Sequence, residues 1–587
     1  MKSAAENVIW NLGDLYSGPD DPAMKSDMQW CREQAESFSK YRGKIDSLEA
    51  RELKGVIRKL EDLNERAQKI LAYAYLNFAT QTQDSGASAL FQSTRELYSE
   101  LHRDTLFFEL EWTKVDDARA QNLISDPELA SYGHYLTAIR KYKRHLLSEP
   151  EERILAEKEP AGASAWSALF DKMLSQVRFG AAKRTESEVL SDLYNSDRDV
   201  RKKAAQELTE GLETILPSLT HIFNTILLDK SIDDRLRNYP GWLTSRNLSN
   251  EADDSMVEAL VGAVSSRYDV VARYYRLKRD LLGYEELYDY DRYAPVPGLP
   301  EGRFTWEDAK DLVLKAYSEF SPQMAEIASR FFTENCIHAP VIPGKRSGAF
   351  AHPVVPSAHP YVMLNFTGTH RDIMTLAHEL GHGIHQYLAR AQGLFNSDTP
   401  LTTAESASVF GEMLAFRHIL SGMTNPRERR AFLCSKIEDI FATVFRQVSM
   451  NRFEDSVHNA RRTQGELAPH FISSAWHDTQ SAMFGDSVRL LDHYRIWWSY
   501  IPHFVHSPGY VYAYAFGELL VLALYEQYLQ QGEAFVPKYI EFLSSGGKAK
   551  PQELLEPFGI DLSNPGFWRQ GIDLIEDLLA EAEREGA

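Results

Sequence analysis

Two histidines and a glutamate in His378-Glu379-Leu380-Gly381-His382 have the spacing that metal-assisted hydrolysis needs. On an α-helix, residues four apart stand on one face about one turn apart, so both imidazoles can reach one ion. Two imidazoles and a carboxylate suit zinc, although cobalt or manganese can substitute for it. Glu379, next to the first histidine, is placed to take a proton from a metal-activated water. The chain has 18 histidines, so a chance HExxH is not negligible and the helix must be credible on its own terms. Thr369 and Asp372 have capping-box spacing, Ile373, Leu376, Leu380, Ile384 and Leu388 form an apolar stripe, and Gly393 supplies a stop.

A catalytic zinc takes three protein ligands and keeps one position open for water. A third histidine six residues beyond the second is excluded, because that residue is Leu388. The other route is a glutamate from a following helix. Thr402-Thr403-Ala404-Glu405 is expected to open such a helix, running on through SASVFGEMLAFRHIL, and Glu405 is the candidate ligand. It has a second reading, since Thr402 and Glu405 also have capping-box spacing and the carboxylate can close its own helix end. Glu412, seven residues on and on the same face, is expected to hydrogen-bond a ligand histidine. His385 lies about one turn past His382. It fits a group behind the ligands, a substrate contact or a satisfied core histidine, whereas as a fourth ligand it would fill the water position.

Most of the chain that must hold these residues reads as helix. Over residues 26–179 apolar positions recur three and four apart, as at Leu60, Leu63, Ala67 and Leu71. The pattern resumes over 187–230, 255–282 and from 369 onward. Residues 293–300 and 339–366 break it with prolines, glycines and β-formers, and His359-Pro360-Tyr361-Val362-Met363-Leu364-Asn365-Phe366 reads as a short strand entered through a proline. A small sheet just before the metal motif is therefore expected inside a helical protein. Acidic residues outnumber basic ones by 84 to 64, a net charge of -20, which argues against a nucleic-acid partner. Cys31, Cys336 and Cys434 are too far apart for a CxxC cluster or a disulfide framework. The N-terminus has no signal-peptide core, and no apolar run approaches the ~20 residues of a spanning helix. A cytoplasmic location without a membrane partner is the expectation.

TLAHELGHGIHQYL followed by TTAESASVFGE resembles the thimet oligopeptidase and oligoendopeptidase F family of zinc peptidases. Trp10-Asn11-Leu12-Gly13-Asp14-Leu15-Tyr16, the middle LSEPEE, the run from Pro343 through Phe350 (PGKRSGAF) and Ile501-Pro502-His503-Phe504 are similar to the oligoendopeptidase F branch. The resemblance thus covers nearly the whole chain. It implies that His378, His382 and Glu405 bind one zinc per chain and that Glu379 is the base. It implies a mainly α fold, a helical ellipsoid with a deep substrate channel and a small β-sheet beside the zinc helix. In that fold residues 1–190 form an N-terminal helical domain and one channel wall, and 191–587 the catalytic domain.

The family also sets a C-terminal histidine and tyrosines near the substrate carbonyl. The candidates here are His503, His506, Tyr510 and Tyr514. His503 matches the Pro-His-Phe pattern and ranks first, while His506 is nearer the tyrosines. Tyr510 and Tyr514 are one helical turn apart, yet Tyr510, Tyr512 and Tyr514 also alternate as in a strand, and a further family tyrosine is replaced by Gly517. The strand at 361–366 either borders the cleft and pairs with an extended substrate, making Tyr361 a substrate contact, or is an ordinary buried strand. The function so implied is a zinc endopeptidase acting on short peptides. A zinc carboxypeptidase or dipeptidase on a similar helical scaffold is the alternative.

Overall fold

The computed structural model describes residues 5–299 and 302–585, and nearly all of its regular structure is helical. Two compact units are each assembled from three separate stretches of chain. One comprises Met1–Lys143, Glu301–Gly422 and Gln527–Ile560, the other Arg144–Pro300, Met423–Glu526 and Asp561–Ala587.

In the first unit the long helix Ala50–Ala79 begins at a capping box between Glu49 and Glu52. Its buried stripe of Leu53, Ile57, Leu60, Leu63, Ala67 and Ile70 faces the helices Pro22–Phe38 and Ser85–Thr105. Burial of each large aliphatic side chain contributes ~1.5–3 kcal/mol. Phe38, Phe107, Phe108 and Trp112 close one end of this core.

The histidine helix, His370–Ala389, starts where the sequence predicts. Thr369 accepts the Asp372 N–H at 3.2 Å, and the Asp372 carboxylate takes the Thr369 N–H at 2.9 Å. Ile373, Leu376, Leu380 and Ile384 of the predicted apolar stripe are all fully buried and form the face that packs, while Leu388 at its end is half-buried. It packs chiefly against the helix Ser408–Gly422, with Trp306–Phe320 and Pro322–Thr333 beside it. A 3-10 turn and Gly393, at φ 78°, end it.

Three short strands form the sheet. β1 (Ile337–His338) pairs in parallel with β3 (Tyr361–Met363), and β2 (Phe350–His352) pairs antiparallel with the other side of β3. The strand expected from the sequence is therefore the central one. Both of its edges are used, and Tyr361, Val362 and Met363 are completely buried, so it cannot take a substrate strand. Among the described strands, the side of β2 away from β3 is unpaired.

The second unit is helical around an aromatic core of Phe223, Phe453, Trp476, Tyr494, Trp497, Trp498 and Phe504. Here Phe445–Gln464 packs along Pro469–Phe484. No helix among the described residues is long and apolar enough to cross a membrane.

Candidate metal centre and active site

His378 and His382 stand one turn apart on the histidine helix, with ring centroids 4.9 Å apart. The Oε2 of Glu405 lies 3.5 Å from His378 Nε2 and 3.4 Å from His382 Nε2. These values suit one tetrahedral ion, because zinc bonds of ~2.0–2.1 Å at the tetrahedral angle put neighbouring ligand atoms ~3.3–3.4 Å apart. All three side chains are partly exposed, which leaves a side open to water.

Glu405 reaches this position by a route the sequence did not reveal. Leu401–Ala404 is a single helical turn, residues 405–407 form a turn, and the next helix starts only at Ser408. Glu405 is thus not on one continuous helix with Glu412, and Thr402 lies inside the preceding turn, whose N-cap is Pro400, and not at a helix start. Instead Oε2 accepts the Ser408 hydroxyl at 2.6 Å and faces the histidines. Gly381 makes the approach possible: a Cβ there would lie 2.3 Å from the Ala407 carbonyl oxygen and 2.6 Å from Ser408 Cα. The glycine inside HELGH is the place where the turn bearing Glu405 crosses the histidine helix.

Three further contacts steady the cluster. His378 Nδ1 donates to Glu412 Oε2 at 3.3 Å, which aims the Nε2 lone pair at Glu405 and His382. The buried His385 donates to the Ala404 carbonyl, so it holds the Glu405 turn from behind. It is absent from the metal-capable cluster of His378, His382 and Glu405. The Tyr317 hydroxyl donates to the Ala377 carbonyl at 2.6 Å, fixing the helix beside its first histidine.

The charges follow from these contacts. Burial opposes a charge on His378, but the Glu412 hydrogen bond and the Glu405 and Glu412 carboxylates outweigh it and hold its pKa up to about 9 without metal. Burial likewise raises Glu405, yet the His382 hydrogen bond and the charges of His382 and His378 bring it down to about 2. Burial pushes His385 down to about 4, so it stays neutral. The Glu379 carboxyl is raised, mainly by burial, with the two imidazoles pulling the other way. Its carboxylate accepts the backbone N–H of Ala351 in β2. Gln386, seven residues along the same helix, donates to the Ala351 carbonyl at 3.4 Å. The sheet is thereby tied to the helix beside the metal cluster.

The remaining candidates divide. In the second unit His503 Nε2 and the Tyr514 hydroxyl are 3.2 Å apart, and the Tyr510 ring lies edge-on to Tyr514 at 5.0 Å. These three form one cluster. Tyr512 points away from it, buried with its hydroxyl on Asn250 at 2.9 Å, and starts a helix, so the alternation of tyrosines is not a strand. His506 leaves the group and donates to Asp171 at 2.9 Å. Tyr361 is enclosed in the first unit, edge-on to Trp10, with its hydroxyl donating to the Asn11 carbonyl at 2.9 Å. That makes it a packing residue and not a substrate contact. Gly381, Ser408, Tyr317 and Ala351 were missed. Only Gly381 left a trace in the sequence, as a glycine inside an amphipathic helix.

Residues 192–574 match peptidase family M3, and residues 111–179 match the oligopeptidase F N-terminal family. The chain belongs to peptidase family M3 and is a metallopeptidase. It is 26% identical over 585 residues to oligopeptidase PepF of Bacillus subtilis, covering 98% of this chain and 86% of that protein. It is also 26% identical over 585 residues to an oligoendopeptidase F homolog of Borreliella burgdorferi, covering 99% and 98% of the two chains. The fold matches a crystal structure of oligoendopeptidase-F from Enterococcus faecium with a TM-score of 0.72 at 22% identity, over 96% of this chain and 98% of that one.

Proposed function

We propose that the chain is a zinc-dependent endopeptidase that hydrolyses internal bonds of short, unfolded peptides. The observation that carries this is the 3.4 and 3.5 Å spacing of Glu405 Oε2 from the two imidazoles, with Glu379 adjoining. Zinc held by His378, His382 and Glu405 would supply a Lewis acid that lowers the pKa of a water toward ~7 and polarises a carbonyl. Glu379 accepts the proton of the attacking water and passes it to the departing amine, a role its place beside His378 allows. Glu412 and His385 orient the ligands. The family resemblance makes His503, Tyr510 and Tyr514 the candidates to stabilise the oxyanion, and their mutual contacts support acting as a group. His506, engaged by Asp171, has no part in it.

Backbone pairing with an extended peptide falls to the outer edge of β2, where the peptide would exchange with Glu379 and Gln386 for the Ala351 N–H and carbonyl; such pairing discriminates little among side chains. Along the sequence, residues 1–190 serve as the N-terminal helical part and 191–587 as the catalytic part, a division supported by the family matches at 111–179 and 192–574, although each compact unit draws on both parts. Internally quenched peptides blocked at both ends test the reading. The parent should cleave them, and Glu379→Gln should lose ~10²–10⁴-fold in kcat while still binding zinc. Cleavage confined to peptides with a free C-terminus would establish a carboxypeptidase instead, and an unimpaired Glu379→Gln would remove the mechanism.

A further inference from the structure

The loops entering β1 and β3 bring together three metal-ligating side chains that the proposed hydrolysis does not use. Glu334 ends the helix Pro322–Thr333, Asn335 turns the chain at φ 53°, and Cys336 leads into β1. His359 lies two residues before β3. Because β1 and β3 are parallel, with Ile337 opposite Val362, the segments ahead of the two strands are neighbours. The Val362 N–H donates to the Cys336 carbonyl at 2.9 Å and pins them. A carboxylate oxygen of Glu334, the Sγ of Cys336 and a ring nitrogen of His359 all lie within 4.8 Å of one another.

The histidine adds an independent observation. Its Nδ1 is 2.6 Å from the Pro360 carbonyl oxygen, which can only accept, so Nδ1 carries the hydrogen. In the neutral ring Nε2 then carries the lone pair. That side chain is only 9% exposed, and Nε2 is buried without a hydrogen-bond partner. It lies 3.8 Å from Glu334 Oε2, another acceptor. Two acceptors that face each other with no donor between them leave a buried atom unsatisfied, and a cation between them removes the conflict. The ring is held in place by Phe331, edge-on at 4.5 Å, and by Tyr387 at 5.5 Å. Arg330 Nε binds Glu334 Oε1 at 2.6 Å, which leaves Oε2 for the site. The backbone bond to the far side of the imidazole is the arrangement usual for metal-binding histidines.

We infer that Glu334, Cys336 and His359 form a second metal site, separate from the His378, His382 and Glu405 cluster, for a divalent ion that favours thiolate and imidazole, zinc foremost. With three protein ligands, a water completes the tetrahedron. Binding converts the Cys336 thiol to a thiolate, and its proton passes to solvent. The ion joins the entrances of two adjacent strands, so its role is to brace the sheet that meets the histidine helix at Ala351.

Cobalt titration of the full-length protein, stripped of metal by a chelator, tests this. Of the two metal-capable clusters among the described residues, only this one contains a cysteine. Two equivalents should bind, with a thiolate-to-cobalt charge-transfer absorption that zinc displaces. Cys336→Ser should remove the absorption and one equivalent, and His359→Gln, which keeps the thiol, should weaken both. His382→Ala should remove the other equivalent and keep the absorption, so failure here is distinguishable from failure of the peptidase reading. Circular dichroism confirms the fold of each variant, and His359→Gln serves if Cys336→Ser does not fold. A single equivalent without thiolate absorption overturns the inference. So does an absorption that survives Cys336→Ser, which would assign it to Cys31 or Cys434.

Discussion

In Gly381→Ala the new Cβ would stand 2.3 Å from the Ala407 carbonyl oxygen, where ordinary contact begins at about 3.4 Å. The obstacle is backbone on both sides, so no side chain can swing clear, and the turn carrying Glu405 must retreat by about 1 Å. Metal sites tolerate ~0.2 Å in their ligand distances. Glu405 therefore leaves the cluster, while His378 and His382, on their own helix, remain. Loss of a contact that merely supports a ligand costs ~10–100-fold in metal affinity, so loss of a ligand should cost at least ~100-fold. Competition with a chromogenic chelator measures that directly. Hydrolysis should vanish at stoichiometric zinc and return in part with excess. Gly383→Ala is the control: its Cβ would meet the end of the Phe331 ring at 2.5 Å, so it should cost ~1–3 kcal/mol of stability by overpacking and leave the zinc affinity of the His378, His382 and Glu405 cluster near that of the parent. Thermal unfolding checks both variants. If Gly381→Ala folds and binds zinc as tightly as the parent, the close approach is not what delivers Glu405.

Glu412→Ala removes the acceptor for His378 Nδ1 and should weaken zinc binding ~10–100-fold while all three ligands remain; equal affinity by chelator competition would show that the contact does not orient the imidazole. In metal-free protein His378 holds a proton up to about pH 9. Zinc must displace it, so apparent affinity should rise about tenfold per pH unit between the free imidazole value of ~6.5 and about 9, then level off. Calorimetry in buffers of different ionisation heat should find close to one proton released per zinc in that range, and a flat profile refutes the assignment. For the metal-free fold the sign is the opposite. A raised pKa contributes stability that is complete below ~6.5 and lost as pH climbs through about 9. Tyr361→Phe loses one partly buried hydrogen bond to Asn11, which should cost ~1 kcal/mol in denaturant unfolding with kcat/KM unchanged; a large kinetic effect would restore Tyr361 as a substrate contact.

Local periodicity determined the histidine helix. The i, i+4 spacing of His378 and His382, the Thr369 capping box and the apolar stripe all depend on residues within a few turns of one another, and the structure reproduces them. The helical character of the flanking segments and the existence of a small sheet were legible for the same reason. Contacts between distant segments were not. That β3 lies at the centre of the sheet, and cannot pair with a peptide, depends on two partner strands that periodicity does not order. Where Glu405 points depends on a helix break after Ala404 and on the missing Cβ of Gly381. The separation of His503 from His506 follows from what each side chain meets, Tyr514 for one and Asp171 for the other. The sequence by itself decided which residues could bind a metal. The tertiary structure decided which donor atoms converge to within 3.5 Å, because convergence of residues far apart in the chain is a property of packing.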